Sequence, residues 1–428
     1  MSNSAGVSIH GTVAPGFESI RSLYKHNMNT FAEGHTQLCI YHRGEKVVDL
    51  WASVEETNTF SADSLVNVFS SGKSLESIAL GWLVSQGLLS FEAKIVDYWP
   101  EFSANGKEGL TVADLMRHSS GLANFDQSIE PEHLQTANIK ENKVGEVIAA
   151  QTSRYPGDGA NRCEYHAVTR GWVVNEIFRR VDPQQRTIGE FLRQEINEPM
   201  AVEALVGIDD QELERVTEVT HAGFGAELIR SMRPKFLGRK AVHGFFNLFR
   251  RLAGLLLSNR KSTSRKAPLP YKGMDGILFF NDRSVALGQT PSANTKSSAR
   301  TLAKIAAMMS AGGKFGGKEY LNSVGWEAVH GKSIPAMMGG LMATRFTQGG
   351  VNQFLPCSAD SARLEREFQV GREGFFGWMG LGGSIFQWNP EKDIGFGFVV
   401  TELHVLDLLN ERGKTYQAEV LRCVDKLG

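Results

Sequence analysis

The segment 69–76 reads FSSGKSLE and contains two groups that could carry out nucleophilic chemistry. Ser70 offers a hydroxyl, and Lys73 offers an amine three residues later. Residues with this separation share one face of a helix, so the amine could lie beside the hydroxyl and accept its proton. A lysine with its ordinary pKa of about 10.4 is protonated, so burial or a nearby cation would have to lower that pKa by about 3 units. Alternatively, the lysine stays charged and lowers the pKa of a second base.

The same segment contains Gly72-Lys73-Ser74, which also resembles the end of a phosphate-binding loop. Such a loop requires a glycine five positions before Gly72, because the backbone must wrap closely around the phosphates. Asn67 occupies that position, and 94–97 is too short to be a convincing magnesium-binding strand. The sequence therefore favours a serine nucleophile over a nucleotide site.

Composition limits the other classes of function. The chain has 428 residues, of which 42% are hydrophobic, and this length predicts two or three domains. A net charge of −1 does not indicate a nucleic-acid partner. The four cysteines have no paired spacing and no metal motif occurs, so we expect neither a metal nor a cofactor. The sequence has no evident signal peptide or membrane-spanning run, and we therefore expect a cytoplasmic location.

The elements that must position the nucleophile are predicted from hydrophobic periodicity. Two hairpins are predicted, at 36–51 and at 383–400, and a short apolar run precedes Ser70. Helical spacing of apolar residues occurs at 17–32, 70–87, 297–312 and 415–427. Strands near both termini with helices between them predict an α/β (α+β) fold.

The predicted domains follow from this distribution of elements. Residues 1–69 and 287–428 would form one discontinuous α/β domain, whose sheet takes strands from both termini. Residues 70–286 would form a mainly helical domain between these two parts. This domain would contain a basic amphipathic insertion at about 228–274.

Four further motifs follow the serine and the lysine in a specific order. They are Leu-Met-Arg-His-Ser-Ser-Gly-Leu at 115–122, Tyr-His-Ala-Val-Thr-Arg-Gly-Trp at 165–172, Thr-Pro-Ser at 290–292 and Gly-Trp-Met-Gly-Leu-Gly-Gly-Ser at 377–384. This combination resembles the serine β-lactamase-related superfamily, and within it the class C β-lactamase-like branch of family VIII carboxylesterases. The resemblance extends from about residue 15 to 425. It implies a β-lactamase/penicillin-binding-protein-like fold, in which helices flank an antiparallel sheet.

The resemblance also implies a role for individual residues. Ser70 matches the acylated nucleophile, and Lys73 matches its partner in proton transfer. Tyr165 matches the tyrosine that acts with the lysine as general base, as a phenolate stabilised by the ammonium group. Because free tyrosine has a pKa of about 10, this role requires a lowered pKa. The backbone N–H groups of Ser70 and Leu381 would form the oxyanion hole.

The sequence departs from the β-lactamases at two of these motifs. Trp378-Met379-Gly380 stands where they carry Lys-Thr-Gly, and Ala167 stands where their tyrosine motif has asparagine. We expect Trp378, Met379, Gly380 and His166 to contact the substrate. No Gly-x-Ser-x-Gly motif supports His166 as the base of a catalytic triad. An indole in place of a cation suits an uncharged acyl or alcohol group, which favours esters over β-lactams.

The sequence thus predicts a serine hydrolase that cleaves a small-molecule ester or acyl substrate through an acyl-enzyme on Ser70. An acyltransferase, a β-lactamase or a D-aminopeptidase of the same fold remain alternatives. The rival from another class is a non-catalytic scaffold or self-assembling protein, and a homo-oligomer is compatible with either class. The joint presence of Ser70, Lys73 and Tyr165 in matching contexts favours an enzyme.

Residues 230–266 contain eleven Lys or Arg and no acidic residue. The simple interpretation is an exposed insertion whose apolar residues cover the site. The alternative is a lid at 239–266 with a basic amphipathic helix, which contacts anionic lipid or guides a lipid-like substrate. Its apolar face would comprise Phe245, Phe246, Leu248, Phe249, Leu252 and Leu255–Leu257. Arg250 and Arg251 would lie next to that face, and the outlying Arg239, Lys240, Arg260 and Lys261 would supply charge.

Overall fold

A large antiparallel sheet uses strands from both ends of the chain. The structure, a computed structural model, describes residues 7–31, 33–54, 60–154, 162–234, 241–259, 262, 267–338 and 342–428. Its strands are β1 Ser8–Val13, β2 Thr36–His42, β3 Glu45–Ser53, β4 Leu65–Asn67, β5 Leu205–Val206, β6 Val216–Thr217, β7 Thr295–Ser297, β8 Lys314–Phe315, β9 Lys318–Glu319, β10 Ile334–Met338, β11 Met342–Phe346, β12 Asn352–Gln353, β13 Phe376–Met379, β14 Ile385–Asn389 and β15 Ile394–Val400.

Helices fill most of the segments between the strands. The α-helices are α1 Glu18–Thr30, α2 Lys73–Ser85, α3 Val112–Met116, α4 Thr136–Ile139, α5 Lys143–Ala150, α6 Thr169–Val181, α7 Ile188–Phe191, α8 Glu198–Met200, α9 Asp210–Leu213, α10 Phe224–Met232, α11 Phe245–Asn259, α12 Arg283–Ala286, α13 Ala299–Ser310, α14 Ser323–His330, α15 Arg363–Gln369 and α16 Glu411–Leu427. Short 3₁₀ helices include Phe69–Gly72, Leu278–Asn281 and Leu381–Gly383, and Leu192–Asn197 is π-helical. None of the helices in the described ranges has both the length and the apolar character that a membrane crossing requires.

The main sheet joins the two ends of the chain at its centre. Among the described residues, nine strands are arranged in the order β1-β3-β2-β15-β14-β13-β12-β11-β10, and all neighbours are antiparallel. The N-terminal strand β2 pairs along its whole length with the C-terminal strand β15, from Thr36 opposite Val400 to His42 opposite Ile394. This arrangement confirms the predicted antiparallel sheet from both termini. The proposed domain boundaries stay a prediction.

Strand β15 separates two helical layers. Successive side chains of a strand point to opposite faces, so its glycines and its large residues lie on different sides. On one face, Gly395 and Gly397 allow α13 to approach so closely that a β-carbon at Gly397 would lie 2.3 Å from the Ala299 carbonyl oxygen. On the other face, the Phe398 ring packs against the Tyr416 ring of α16, with centroids 5.3 Å apart. The sheet is therefore buried between helices on both sides.

The predicted hairpins and long helices are present, whereas several strands were missed. The hairpin predictions correspond to β2–β3 and β14–β15. The periodicity did not reveal β1 or β10–β12. Strand β12 has two residues, and β10 contains Pro335, so neither shows a local alternating pattern long enough to recognise. Their pairing depends on partners elsewhere in the chain.

We expect Gly397→Ala to lower the free energy of unfolding by about 1–3 kcal/mol, because the new methyl group would clash with the backbone of α13. Chemical denaturation measures this difference. Gly109→Ala is the matched control, since a β-carbon there meets nothing within 4 Å. Equal losses of stability in the two variants would contradict the close approach of α13 to β15.

Candidate active site

A strained turn places Ser70 at the start of α2. The residue before it, Phe69, has a left-handed backbone with φ of 48°, which costs energy for a bulky residue. The turn is held on one side because the Val68 N–H donates to the Thr295 carbonyl at 2.9 Å. On the other side a β-carbon at Gly72 would lie 2.4 Å from the Pro291 carbonyl oxygen, so glycine is required there. Ser70 lies in this 3₁₀ turn, and the α-helix itself begins at Lys73.

The serine, the lysine and the predicted tyrosine meet at one point. The Ser70 Oγ lies 2.5 Å from the Tyr165 Oη and 3.3 Å from the Lys73 Nζ. Ser70 is half-buried, whereas the Lys73 side chain is fully buried. The fold thus brings a hydroxyl, an amine and a phenol within hydrogen-bond reach of one another.

The environment of Lys73 favours the neutral amine. Burial lowers the pKa of Lys73 well below its usual value; the Glu76 carboxylate opposes this shift, and the Arg170 cation adds to it. This lowering of the Lys73 pKa is what the sequence analysis requires of a lysine that acts as a base. The Lys73 Nζ donates to the carbonyl oxygens of Ala167 at 2.7 Å and Ser292 at 2.9 Å. A neutral amine has two N–H groups, so these two bonds leave its lone pair available to the Ser70 hydroxyl.

The environment of Tyr165 favours the neutral phenol. Burial raises its pKa to about 12, and the hydrogen bond with Ser70 only partly offsets this effect. The predicted lowering of this pKa is therefore wrong. Burial also disfavours the ammonium form of Lys73, which opposes the charge that was expected to stabilise a Tyr165 phenolate. A neutral Tyr165 can donate its hydroxyl proton toward the Ser70 oxygen.

A buried ion pair beneath the lysine was missed by the sequence analysis. The Arg170 Nε donates to the Glu76 Oε2 at 2.7 Å, and both side chains are fully buried. The Ser292 hydroxyl donates to the other Glu76 oxygen at 2.5 Å, and Arg170 also bonds to the Lys73 carbonyl at 3.2 Å. Loss of one partner of such a pair typically costs about 3–5 kcal/mol. The sequence did contain a sign of this pair, because Glu76 lies in the apolar helix α2 and a buried acid requires a partner.

The loop that carries Tyr165 is fastened by two histidines. The His166 Nδ1 donates to the Glu164 carbonyl at 2.6 Å, while its Nε2 accepts from the Ser120 hydroxyl at 2.8 Å. Burial lowers the pKa of His166 to about 4, so the ring is neutral. The His118 Nδ1 accepts from the His166 backbone N–H at 3.1 Å. With both ring nitrogens engaged and no exposed surface, His166 holds the loop and offers no free group to a substrate.

Strand β13 forms the other side of the site. The Trp378 ring is stacked on the Tyr165 ring with centroids 6.0 Å apart, and its indole N–H donates to the Gly350 carbonyl at 2.7 Å. Trp378 is 2% exposed, so it supports Tyr165 from beneath instead of lining an open surface. Met379, the next residue, points to the opposite side of the strand and is half-buried.

The end of β13 brings Leu381 toward the nucleophile turn. A β-carbon at Gly380 would lie 2.3 Å from the Val68 carbonyl oxygen and 3.2 Å from the Phe69 Cβ. Gly380 therefore allows the backbone before Leu381 to contact the backbone before Ser70. The predicted oxyanion hole, formed by the backbone N–H groups of Ser70 and Leu381, depends on this close approach. Leu381 itself is exposed.

The assembled groups are those of a nucleophilic site. Ser70 supplies the nucleophile, the neutral Lys73 amine can accept a proton, and the neutral Tyr165 hydroxyl can donate one. In the ranges that the structure describes, no group of three or more His, Cys, Asp or Glu side chains is arranged to hold a metal ion.

Comparison with known proteins agrees with this geometry. The model of the family described as Beta-lactamase matches residues 26–417. The esterase/beta-lactamase LipL of Mycobacterium tuberculosis is 26% identical over 410 residues, which cover 93% of this chain and 84% of the relative.

Solved structures show the same fold. A family VIII carboxylesterase superposes with a TM-score of 0.73 at 22% identity, over 97% of this chain and 100% of the other. A penicillin-binding protein homologue from Caulobacter crescentus superposes with a TM-score of 0.72 at 21% identity, over 97% and 100% of the two chains. The chain belongs to the beta-lactamase family and is an esterase-like serine hydrolase of that fold.

Proposed function

We propose that this enzyme hydrolyses uncharged carboxylic esters through an acyl-enzyme on Ser70. The observation that supports the proposal most directly is the position of the Ser70 Oγ, 2.5 Å from the Tyr165 Oη and 3.3 Å from the Lys73 Nζ. The two neighbours have opposite capacities, because Lys73 can accept a proton and Tyr165 can donate one. Ser70 is also half-exposed, so a substrate carbonyl can reach it.

Acylation begins with transfer of the Ser70 hydroxyl proton to the lone pair of Lys73. The Oγ then attacks the ester carbonyl, and the carbonyl electron pair moves onto oxygen. The backbone N–H groups of Ser70 and Leu381 donate to this oxyanion, and one such donor is typically worth about 3–4 kcal/mol in the transition state. When the carbonyl re-forms, the bond to the alcohol oxygen breaks, and Tyr165 gives its proton to the departing alkoxide. The Lys73 ammonium restores the Tyr165 proton.

Deacylation uses the same groups with water in place of the alcohol. Lys73 accepts a proton from water through Tyr165, and the oxygen of that water attacks the acyl carbon. Collapse of the intermediate breaks the bond to the Ser70 Oγ, which regains its proton from Lys73. The products are the free acid and the original enzyme, so atoms and protons balance over the cycle.

The substrate preference is inferred from position 378. In β-lactamases a lysine at this place binds the substrate carboxylate, whereas here the indole of Trp378 is uncharged and donates to the Gly350 carbonyl. The Lys73 amine, which also faces the site, is driven toward neutrality by burial. An uncharged acyl or alcohol group therefore suits this site better than an anionic one.

Replacement of Ser70 by alanine should lower kcat/KM for a short-chain p-nitrophenyl ester by at least about 10³-fold, because the nucleophile is lost. It should also abolish labelling by a fluorophosphonate, measured by intact mass and peptide mapping. Ser120→Ala is the matched control, since it removes the serine hydroxyl that is bonded to His166 and leaves Ser70, Lys73 and Tyr165 unchanged. A labelled Ser70→Ala variant, or loss of labelling in Ser120→Ala alone, would contradict the proposal.

The pH dependence should follow the protonation of Lys73. Its folded pKa is lowered, so kcat/KM should rise with pH through a midpoint below the ordinary lysine value of about 10.4 and then level off. Tyr165, with a pKa of about 12, should cause no decline below about pH 11.

Lys73→Arg tests the same step, because a guanidinium keeps the charge but accepts no proton. We expect a loss of about 10²- to 10⁴-fold at every pH. Circular dichroism and Lys73→Met serve as controls for folding. If the arginine variant kept more than a tenth of the activity while the methionine variant lost it, a charged lysine acting through a Tyr165 phenolate would replace this scheme.

The enzyme should prefer uncharged esters to β-lactams. A hydrogen bond to a charged group is worth about 1.5–3 kcal/mol. Because Trp378 replaces the lysine that would bind the β-lactam carboxylate, kcat/KM for nitrocefin relative to that for an uncharged ester should be lower by about 10- to 150-fold. Methyl and free-acid forms of one substrate make the comparison direct, because they differ only in the carboxylate. Equal rates for the two forms would remove Trp378 as the reason for ester preference.

A further inference from the structure

Helices α10 and α11 present apolar side chains to solvent. On α11, Phe246 is 87% exposed, and Phe249, Leu256 and Leu257 are also largely exposed. These positions lie on one helical face, since their separations of three, seven and one residues keep them within a narrow arc. On α10 the exposed apolar residues are Phe224, Ile229 and Met232. The two helices contact each other, so their apolar faces can form one surface, which we call the α10–α11 surface.

The inner sides of these helices are firmly attached to the protein. The buried Glu227 carboxylate of α10 accepts from the backbone N–H groups of Val405 at 3.0 Å and Leu406 at 3.1 Å. On α11, Leu248 is buried, and the buried Arg251 donates to Glu411 at 3.2 Å. The outward orientation of the phenylalanines and leucines is therefore fixed by specific contacts on the opposite face.

This concentration of exposed apolar residues is unusual in the molecule. Among the described residues, seven large apolar side chains are at least 60% exposed, and six of them belong to α10 or α11. The seventh is Val324 of α14. Single exposed apolar residues need no explanation, but a cluster of this kind marks a surface that binds something.

The charge of the surrounding segment identifies the kind of partner. Residues 230–266 contain eleven Lys or Arg and no acid. Arg250 forms an ion pair with Glu367, and Arg251 forms one with Glu411, so the charge of both is partly neutralised. Arg239, Lys240, Arg260 and Lys261, which were expected to supply charge, lie outside the described residues. Apolar residues within a strongly basic segment match an anionic lipid surface.

We propose that the α10–α11 surface lies on membranes that contain anionic lipids, with its apolar side chains between the headgroups. A second copy of the chain is the less suitable occupant. A symmetric contact would place the same basic segment on both sides, and like charges repel across an interface. A lipid surface satisfies the apolar and the charged features together.

The surface is connected to the site at two points. The Ser262 hydroxyl donates to the carboxylate of Glu164, the residue before Tyr165, at 2.7 Å. The loop that Glu227 binds also contacts the backbone beside Leu381, because the His404 N–H donates to the Gly382 carbonyl at 3.2 Å. A membrane bound at this surface would therefore lie next to the segments that hold the site. The inference itself requires no catalysis.

The test is co-sedimentation of the full chain with phosphatidylcholine vesicles, with and without phosphatidylglycerol. We expect binding to the anionic vesicles that weakens as salt is raised. Phe246→Ser combined with Phe249→Ser should reduce the partition coefficient at least about tenfold, because two apolar side chains no longer leave water. Val324→Ser, which changes an exposed apolar residue on α14, should bind as the wild type does.

Two further measurements separate a loss of membrane binding from a loss of folding or of catalysis. The double serine variant should hydrolyse a water-soluble p-nitrophenyl ester at the wild-type rate, which shows that it is folded. Ser70→Ala should bind vesicles normally, so failure of the proposed catalysis and failure of this inference are separable. Equal binding to both vesicle types, or unchanged binding of the double variant, would overturn the inference. A dimer in size-exclusion chromatography that the double variant loses would do so as well, and would assign the surface to a second copy.

Discussion

Burial of the Lys73 amine is the constraint on which the site depends. An ammonium group removed from water is costly, and at this position burial outweighs the favourable effect of the Glu76 carboxylate. The neutral amine then uses its two N–H groups on the carbonyls of Ala167 and Ser292 and keeps a lone pair for Ser70. The same exclusion of water keeps Tyr165 protonated. One physical effect therefore prepares a base and an acid on either side of the nucleophile.

The rest of the structure maintains that burial. Carbonyls from two segments far apart in sequence enclose the amine, and the Glu76–Arg170 pair fills the space beneath it without exposing charge to solvent. Strand β13 supplies the Trp378 ring that stacks on Tyr165. This strand belongs to the same nine-stranded sheet in which β2 pairs with β15. The site is thus assembled where the helical layers meet the sheet. Its protonation states are consequences of packing over the whole chain.

The α10–α11 surface has the opposite arrangement of polar and apolar groups from the site. Around the nucleophile, polar groups are buried and paired, whereas α10 and α11 place apolar groups in water. The latter arrangement is unfavourable for an isolated molecule unless another surface removes those side chains from water. Glu227 and Arg251 anchor the inner faces of the two helices and so determine which side is presented. A hydrolase with such a surface could take substrates from the boundary between lipid and water.

The local features could be predicted from the amino-acid sequence alone, namely the three-residue spacing of Ser70 and Lys73, the two hairpins and the motifs that carry the family resemblance. These depend on neighbouring residues and are therefore visible in a short window. Tertiary contacts were needed to establish that Tyr165 keeps its proton, that His166 holds a loop in place, and that Arg251 faces inward while Phe246 faces outward. Burial, hydrogen-bond partners and pKa values are set by atoms from distant segments, and no local pattern records which segments will surround a given side chain.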